Sequence, residues 1–523
     1  MDAANPELIE RWAAEGILPN LGRLFARGIS GRVQGLDGFF IGSTWPSFYT
    51  ATNPAEHGLH YLVQLRPGSY EFYRPAESEF VRREAFWRRL SRAGHRVAVL
   101  DVPLSELDPE INGIQVVEWG GHDAVYGFRT APAGLADELL EQFGPHPAGS
   151  TCDAHRITAD EYRAFRDGLV RGAEVKAELT RWLMQREPWD LVMQVFTEAH
   201  CAGHQCWHLH DRAHPGHDPG LAAELGDPLR DVYQAVDRAI GAILDETDPT
   251  TRILVCSAHG MGAWYSGQML LPEILTRLGA AQRPGTTPAT TDDRTSGMLR
   301  LARAGWRSLP APVKRLLAPL RNQVRPPDPP RMSWTMGLDP AASACFPVGN
   351  GFPVGGIRLN LIGREPGGLI APGEAARAFT GQLAGELLAI TEADTGAPLV
   401  RRVIETSTLY QGEHQDALPD LLVEWNEALV RGSTMLGDGA NAVLRVRSPR
   451  IGELEAVNRY GRTGDHRPHG FFVATGPGLG PSRLSTPVSL MDFAPSVETW
   501  AGLIPPPGSG RVIEPMVSTS GHP

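Results

Sequence analysis

Three histidines, His200, His204 and His208, recur at four-residue spacing within FTEAHCAGHQCWHLH, Phe196 to His210. Side chains four apart on a helix share one face, so these imidazoles can point together at a metal ion. The alternative is a solvated polar face. The run just before them, WDLVMQVF (Trp189 to Phe196), has the pattern of a short buried strand. Segments that leave strand ends carry most sites in open α/β sheets. Three further stretches hold chemistry-bearing residues. Ser43-Thr44-Trp45-Pro46-Ser47 puts a hydroxyl at a Pro-braced turn, ahead of a predicted helix through Thr52. Backbone N–H groups at such a start favour an anion, although an ordinary Ser/Thr cap is the commoner use. Strand RILVC (Arg252 to Cys256) ends in Ser257-Ala258-His259-Gly260-Met261-Gly262, a Gly-bearing loop. Finally GDHRPHG, Gly464 to Gly470, reads as a loop with His466 and His469 that leads into strand Phe471 to Ala474.

The elements that must position these residues alternate between helix and strand. Asn5-Pro6 is a helix start, Asn at the cap and Pro in the first turn. No strand is expected ahead of it. A strand is predicted over 29–35, an amphipathic helix over Glu84 to Gly94 and a buried strand over Arg96 to Leu100. Helices are predicted over 160–187, Asp231 to Glu246, Ala375 to Ile390 and Ser489 to Leu503. Gly356 to Ile362 and Leu418 to Trp425 read as strands. Helix–strand units of this kind imply a doubly wound α/β sheet. Between Gly279 and Pro330 the composition turns to Pro, Thr and Arg, with a Leu/Arg amphipathic piece at 298–321. The expected division is a first core segment at 1–279, an insertion or flap at 280–335 and a second core segment at 336–523.

The chain has 523 residues, 42% hydrophobic, with a formal charge of −11. It can bury a large core, and no long basic run suggests a nucleic-acid polymer as partner. Local cations can still outweigh the global sign at a phosphate site. Five cysteines, Cys152, Cys201, Cys206, Cys256 and Cys345, show no paired short spacing. They read as reduced thiols of a cytoplasmic protein. Neither a transmembrane run nor a leader pattern is found.

Taken in order, several blocks resemble the alkaline phosphatase superfamily, in its type I phosphodiesterase/nucleotide pyrophosphatase branch. They are MDAANPELIERW, STWPSFYTATNPAEHG, FTEAHCAGH, CSAHGMG, IRLNLIGREPGG, LPDLLVEW, TGDHRPHGFFVATGPG and SLMDFAPSVETWAGL. The resemblance implies a three-layer α/β sandwich with a mostly parallel central sheet, here lacking its first strand and carrying an inserted segment. It implies a nucleophile at Thr44. One metal would be held by His200, His204 and His466, and a second by Asp2, Thr44 and His259. Two departures stand out: His200 occupies a position the family fills with Asp, and Ala258 replaces a ligand carboxylate. Asp465 and Glu198 are the nearest acidic residues that could compensate. From position alone, Ser47, three residues after Thr44, can hydrogen-bond a phosphate oxygen or stand idle on a helix surface, and Trp45 can line a substrate pocket or simply pack.

The expected cofactor is one or two divalent ions, zinc first, with manganese or iron as alternatives. The expected substrate is a small phosphorylated molecule, cleaved through a phosphothreonine on Thr44. The rival from another class is a non-catalytic or one-metal descendant that acts as a binding protein. A sulfatase or phosphonate hydrolase ranks lower, because Thr44-Trp45-Pro46-Ser47-Phe48 has neither the convertible Cys or Ser nor the Arg of a sulfatase segment. His57, His60, His208, His210, His214, His217 and His469 read as structural or solvated.

Overall fold

Strand His469–Thr475 (HGFFVAT) separates two layers of core. Alternate residues of a strand face opposite sides. Phe471 and Val473 join one apolar cluster with helices Pro6–Ala14, Pro19–Arg27, Ala159–Met184, Glu198–His210 and Pro228–Leu244. Phe472 and Ala474 join another with Trp45, Phe48, Trp87 and Phe493. Burying a side chain such as Phe stabilises by about 1.5–3 kcal/mol, so this two-sided strand fixes the layering strongly. The computed structural model describes residues 1–76, 82–121, 124–149, 153–284, 335–436, 441–508 and 510–517. Most of the Pro/Arg-rich insertion, the 298–321 piece, Trp334 and Cys152 lie outside them.

The fold is mixed α/β. His469–Thr475 pairs antiparallel with Ile29–Gln34 on one side and with Ile253–Ser257 on the other. A second sheet runs Arg129–Ala131, Gly113–Val117, Val97–Leu100, Leu191–Gln194, and its last three strands are parallel. Local residue pattern does not encode strand direction, so the sequence could not foresee the antiparallel pairs. As expected, no strand precedes the Pro6–Ala14 helix among the described residues. Instead, Met1 and Asp2 touch both sheets. The Met1 amino group donates to Cys256 O at 2.8 Å and Asp2 N donates to Phe196 O at 2.8 Å.

A smaller antiparallel sheet, Cys345–Val348, Val354–Leu359, Leu421–Trp425 and Val400–Glu405, has its own apolar cluster around Leu271, Ile357 and Val423. The loops expected at 257–262 and 464–470 are largely ordered strand. Gly260–Ala263 and Gly464–Arg467 form a two-stranded antiparallel ladder with His466 opposite Met261. They were illegible as strands because both are short, Gly-bearing and lack β-branched residues. No helix among the described residues is long and apolar enough to cross a membrane.

Candidate metal centre

The Glu198–His210 helix begins as the chain leaves strand Leu191–Gln194, at the strand's C-terminal end. His200 and His204 lie on one buried face of it. His466 arrives from the Gly464–Arg467 strand, which presses against the helix backbone to backbone. A Cβ added to Gly464 would sit 2.2 Å from Gly203 O. Only glycine at 464 allows that approach. Thr463 N donates to His204 O at 2.7 Å and seals the contact.

This packing brings three ring nitrogens together. His200 Nε2 is 3.1 Å from His204 Nε2 and 3.1 Å from His466 Nε2. His204 Nδ1 lies 2.7 Å from Gly464 O, so it must be the protonated nitrogen and leaves a lone pair on Nε2. A carbonyl behind a ligating imidazole is the usual way such a ring is oriented. Zinc–nitrogen bonds of about 2.0–2.1 Å give tetrahedral edges of roughly 3.4 Å. The observed separations are close to that, and neutral nitrogen donors suit zinc. The residues present therefore fit a divalent cation. Among the described residues no other group of three potential ligands converges in this way.

The second expected set is looser. His259 meets His466 edge to face, ring centroids 4.7 Å apart. Asp2 is buried and its Oδ1 accepts from Trp45 Nε1 at 3.2 Å. Thr44 opens helix Thr44–Thr50, and its hydroxyl donates to Phe40 O at 2.8 Å. Phe40 in turn faces His466 at 6.4 Å between centroids. The methyl of Ala258 offers no ligand atom. Trp45 packs on Phe48 as well as holding Asp2. Ser47 is fully buried, its hydroxyl 2.9 Å from His57 Nε2.

Neither acidic neighbour replaces the carboxylate lost at Ala258. Glu198 Oε1 is 3.0 Å from His146 Nε2 and 3.1 Å from Lys176 Nζ. Burial opposes its charge, but Lys176 and His146 outweigh burial and hold the carboxyl below its ordinary range. Asp465 Oδ1 accepts from His466 N at 2.8 Å, and burial pushes this carboxyl up to about 6 against the pull of Arg462. Lys176, 1% exposed, also donates to Gly120 O, Val195 O and Thr197 Oγ1, with Asp101 Oδ2 at 3.6 Å. Burial leaves Asp101 raised despite Lys176.

Sequence reasoning passed over Lys176, His146 and Arg462. Lys176 interrupts the apolar face of the Ala159–Met184 helix, which is the one signal it gives. Arg462 lies four residues before His466, and its Nη1 is 3.1 Å from His204 Nε2. A cavity of about 430 Å³ is lined by Phe40, Met261, Arg402 and Arg467. None of the three imidazoles lines it.

A mixed α/β chain with three imidazoles gathered at a strand end is thus the class defined by fold and site. The model of the type I phosphodiesterase / nucleotide pyrophosphatase family matches residues 1–302, and the chain belongs to that family. No curated protein matches it in sequence. Among solved structures it is similar to human ectonucleotide pyrophosphatase / phosphodiesterase 5, at 9% identity and a TM-score of 0.46. That match covers 94% of this chain and 92% of the other. Phosphonoacetate hydrolase from Sinorhizobium meliloti 1021, in complex with phosphonoacetate, is similar at 14% identity and a TM-score of 0.48. There the coverage is 95% of this chain and 93% of the other.

Proposed function

We propose that this chain is a metal-dependent hydrolase of small phosphate esters, most simply a phosphodiesterase, with Thr44 as nucleophile and a phosphothreonine intermediate. The observation that carries the reading is the convergence of His200, His204 and His466, three Nε2 atoms linked by two contacts of 3.1 Å. A divalent cation, zinc first, would be held there and would supply positive charge and Lewis acidity beside the phosphoryl group. Thr44 Oγ1 forms the bond to phosphorus as the ester oxygen leaves in line, and water then cleaves the phosphothreonine. The Thr44–Phe40 hydrogen bond limits rotation of the hydroxyl before attack. Asp2 steadies Trp45, the next residue, and so the turn that bears Thr44.

Ala258 and the buried engagement of Asp2 favour one strongly held cation over two. The chain-specific substrate is left as a small phosphorylated molecule. Elemental analysis beside hydrolysis of bis-p-nitrophenyl phosphate tests the reading. Wild-type protein should hold about one zinc or manganese per chain and be active. His204→Ala should lose metal and activity together. Thr44→Ala should keep the metal and lose at least about a thousandfold in rate. Activity that survives metal loss, or an unimpaired Thr44→Ala, overturns it. Metal-free, inactive wild type would favour the binding-protein alternative.

A further inference from the structure

We infer that Lys176 is the positioning residue of the imidazole cluster: it sets the strand-to-helix turn from which His200 projects. The inference rests on the metal-dependent reading above. His200 is the third residue of the Glu198–His210 helix, so the direction of its ring follows where that helix starts. A cap side chain is the usual local device that fixes a helix start. Thr197, the cap residue here, makes no such bond. Its hydroxyl instead donates to Gly120 O at 2.7 Å and accepts from Lys176 Nζ at 3.2 Å.

The ammonium reaches the whole turn. Nζ lies 3.1 Å from Val195 O, 3.2 Å from Thr197 Oγ1 and 3.1 Å from Glu198 Oε1. Gly120 O, 3.1 Å from Nζ, is the same atom that accepts from Thr197. That carbonyl is itself fixed, because Trp119 N and Gly120 N donate to the Asp101 carboxylate at 2.8 and 2.9 Å. The close fit requires glycine at 120, where a Cβ would sit 2.6 Å from Lys176 Cε. Lys176 is rooted in the Ala159–Met184 helix between buried Val175 and Ala177. A cation at this place is opposed twice, by loss of water and by the positive end of the helix dipole. Apolar or neutral side chains can stabilise a buried position as well as an ion pair does, so what the cation adds is geometry. The helix is anchored a second time where Thr463 N donates to His204 O at 2.7 Å. His200 lies between the two anchors. Groups that orient metal ligands in this way tune affinity without touching the metal.

The test is calorimetry with zinc titrated into metal-free protein, beside urea unfolding of the same samples. Lys176→Met should bind zinc roughly 10- to 100-fold more weakly, the range for losing a group that orients a ligand. Lys176→Met paired with Glu198→Gln removes both charges. It should regain stability relative to the single variant and still bind zinc weakly. Gly120→Ala keeps the lysine but displaces its Cε, and serves if the methionine variants do not fold. It should weaken zinc several-fold. Zinc affinity within twofold of wild type in folded Lys176→Met or Gly120→Ala would overturn the inference. So would affinity that returns together with stability in the paired variant, because Lys176 would then act on the fold alone. Wild type that takes up no zinc removes the metal-dependent reading and this inference with it.

Discussion

Glu198 and His200 stand two residues apart on one helix, yet they belong to opposite kinds of site. Glu198 is closed in by Lys176 and His146, inside a buried set that also ties Lys176 to Gly120, Val195, Thr197 and Asp101. It is charged and held so by its partners. His200, one turn from His204, directs its Nε2 at the nitrogens of two other imidazoles. The three nitrogens, two of their separations 3.1 Å, form a neutral donor set of the kind a divalent cation takes. The first arrangement is a buried ion-paired set in which Glu198 Oε1 is engaged while, among the described residues, Oε2 accepts no hydrogen bond. The second has capacity for a ligand. Buried ionisable residues thus divide by the chemistry of their partners, counter-charge in one case and a neutral donor set in the other, rather than by how deeply they lie.

The contrast is broken most severely at Lys176. Lys176→Met strips Glu198 and Asp101 of their buried counter-charge, and removing one partner of such a pair destabilises by about 3–5 kcal/mol. Urea unfolding reads this directly. His204→Ala, measured without metal, gives up neutral-ring hydrogen bonds to Gly464 and Arg462 but strands no buried counter-charge pair, and should cost less. Equal losses in the two variants would erase the distinction.

Zinc should sharpen it from the other side. At a free concentration a hundred times the dissociation constant, a ligand of the folded state stabilises by about 2.7 kcal/mol. Wild type should show that gain as a raised unfolding midpoint, and His204→Ala should show none. A zinc-induced gain that persists in His204→Ala would move the cation to another site.

Acid tests the deeply buried imidazoles outside the cluster. Burial holds His57, His60 and His208 each down to about 3, against an ordinary 6.5. The unfolded chain protonates these rings near 6.5 and the folded chain does so only near 3. Between those values the unfolded state binds more protons. Their contribution is therefore complete above about pH 6.5 and is lost as pH falls toward 3. Going from pH 7 to pH 5 should lower the unfolding free energy by roughly 2 kcal/mol per ring. Stability unchanged over that interval would mean the rings titrate freely in the fold.

The helix face of His200 and His204 was legible because one helix carries both at four-residue spacing, and a strand-like run precedes it. The helix start at Thr44 was legible from its Pro-braced turn, and strand Phe471 to Ala474 from its apolar run. His466 was recognisable only through family resemblance. Its strand is two Gly-bearing segments whose pairing is set by contact with Gly203, a tertiary fact with no local pattern. Arg462 and Lys176 were hidden for a related reason. A lone basic residue reads as solvated unless its partners, here Asp153 and Glu198, can be seen to face it.

The smallest expected effect concerns Ser47, whose place three residues after Thr44 offered its hydroxyl to a phosphate oxygen. His57 Nδ1 accepts from Leu59 N at 3.1 Å, so the proton is on Nε2 and points to Ser47 Oγ at 2.9 Å. Ser47 and His57 are both fully buried. In Ser47→Ala the imidazole N–H is left without its acceptor, which costs about 1 kcal/mol or somewhat more. A residue whose work is done by that contact should lose stability on this scale while KM for bis-p-nitrophenyl phosphate and phosphate inhibition stay as in wild type. The reverse result, a raised KM at unchanged stability, would put Ser47 on the ligand side of the division and return it to the phosphate.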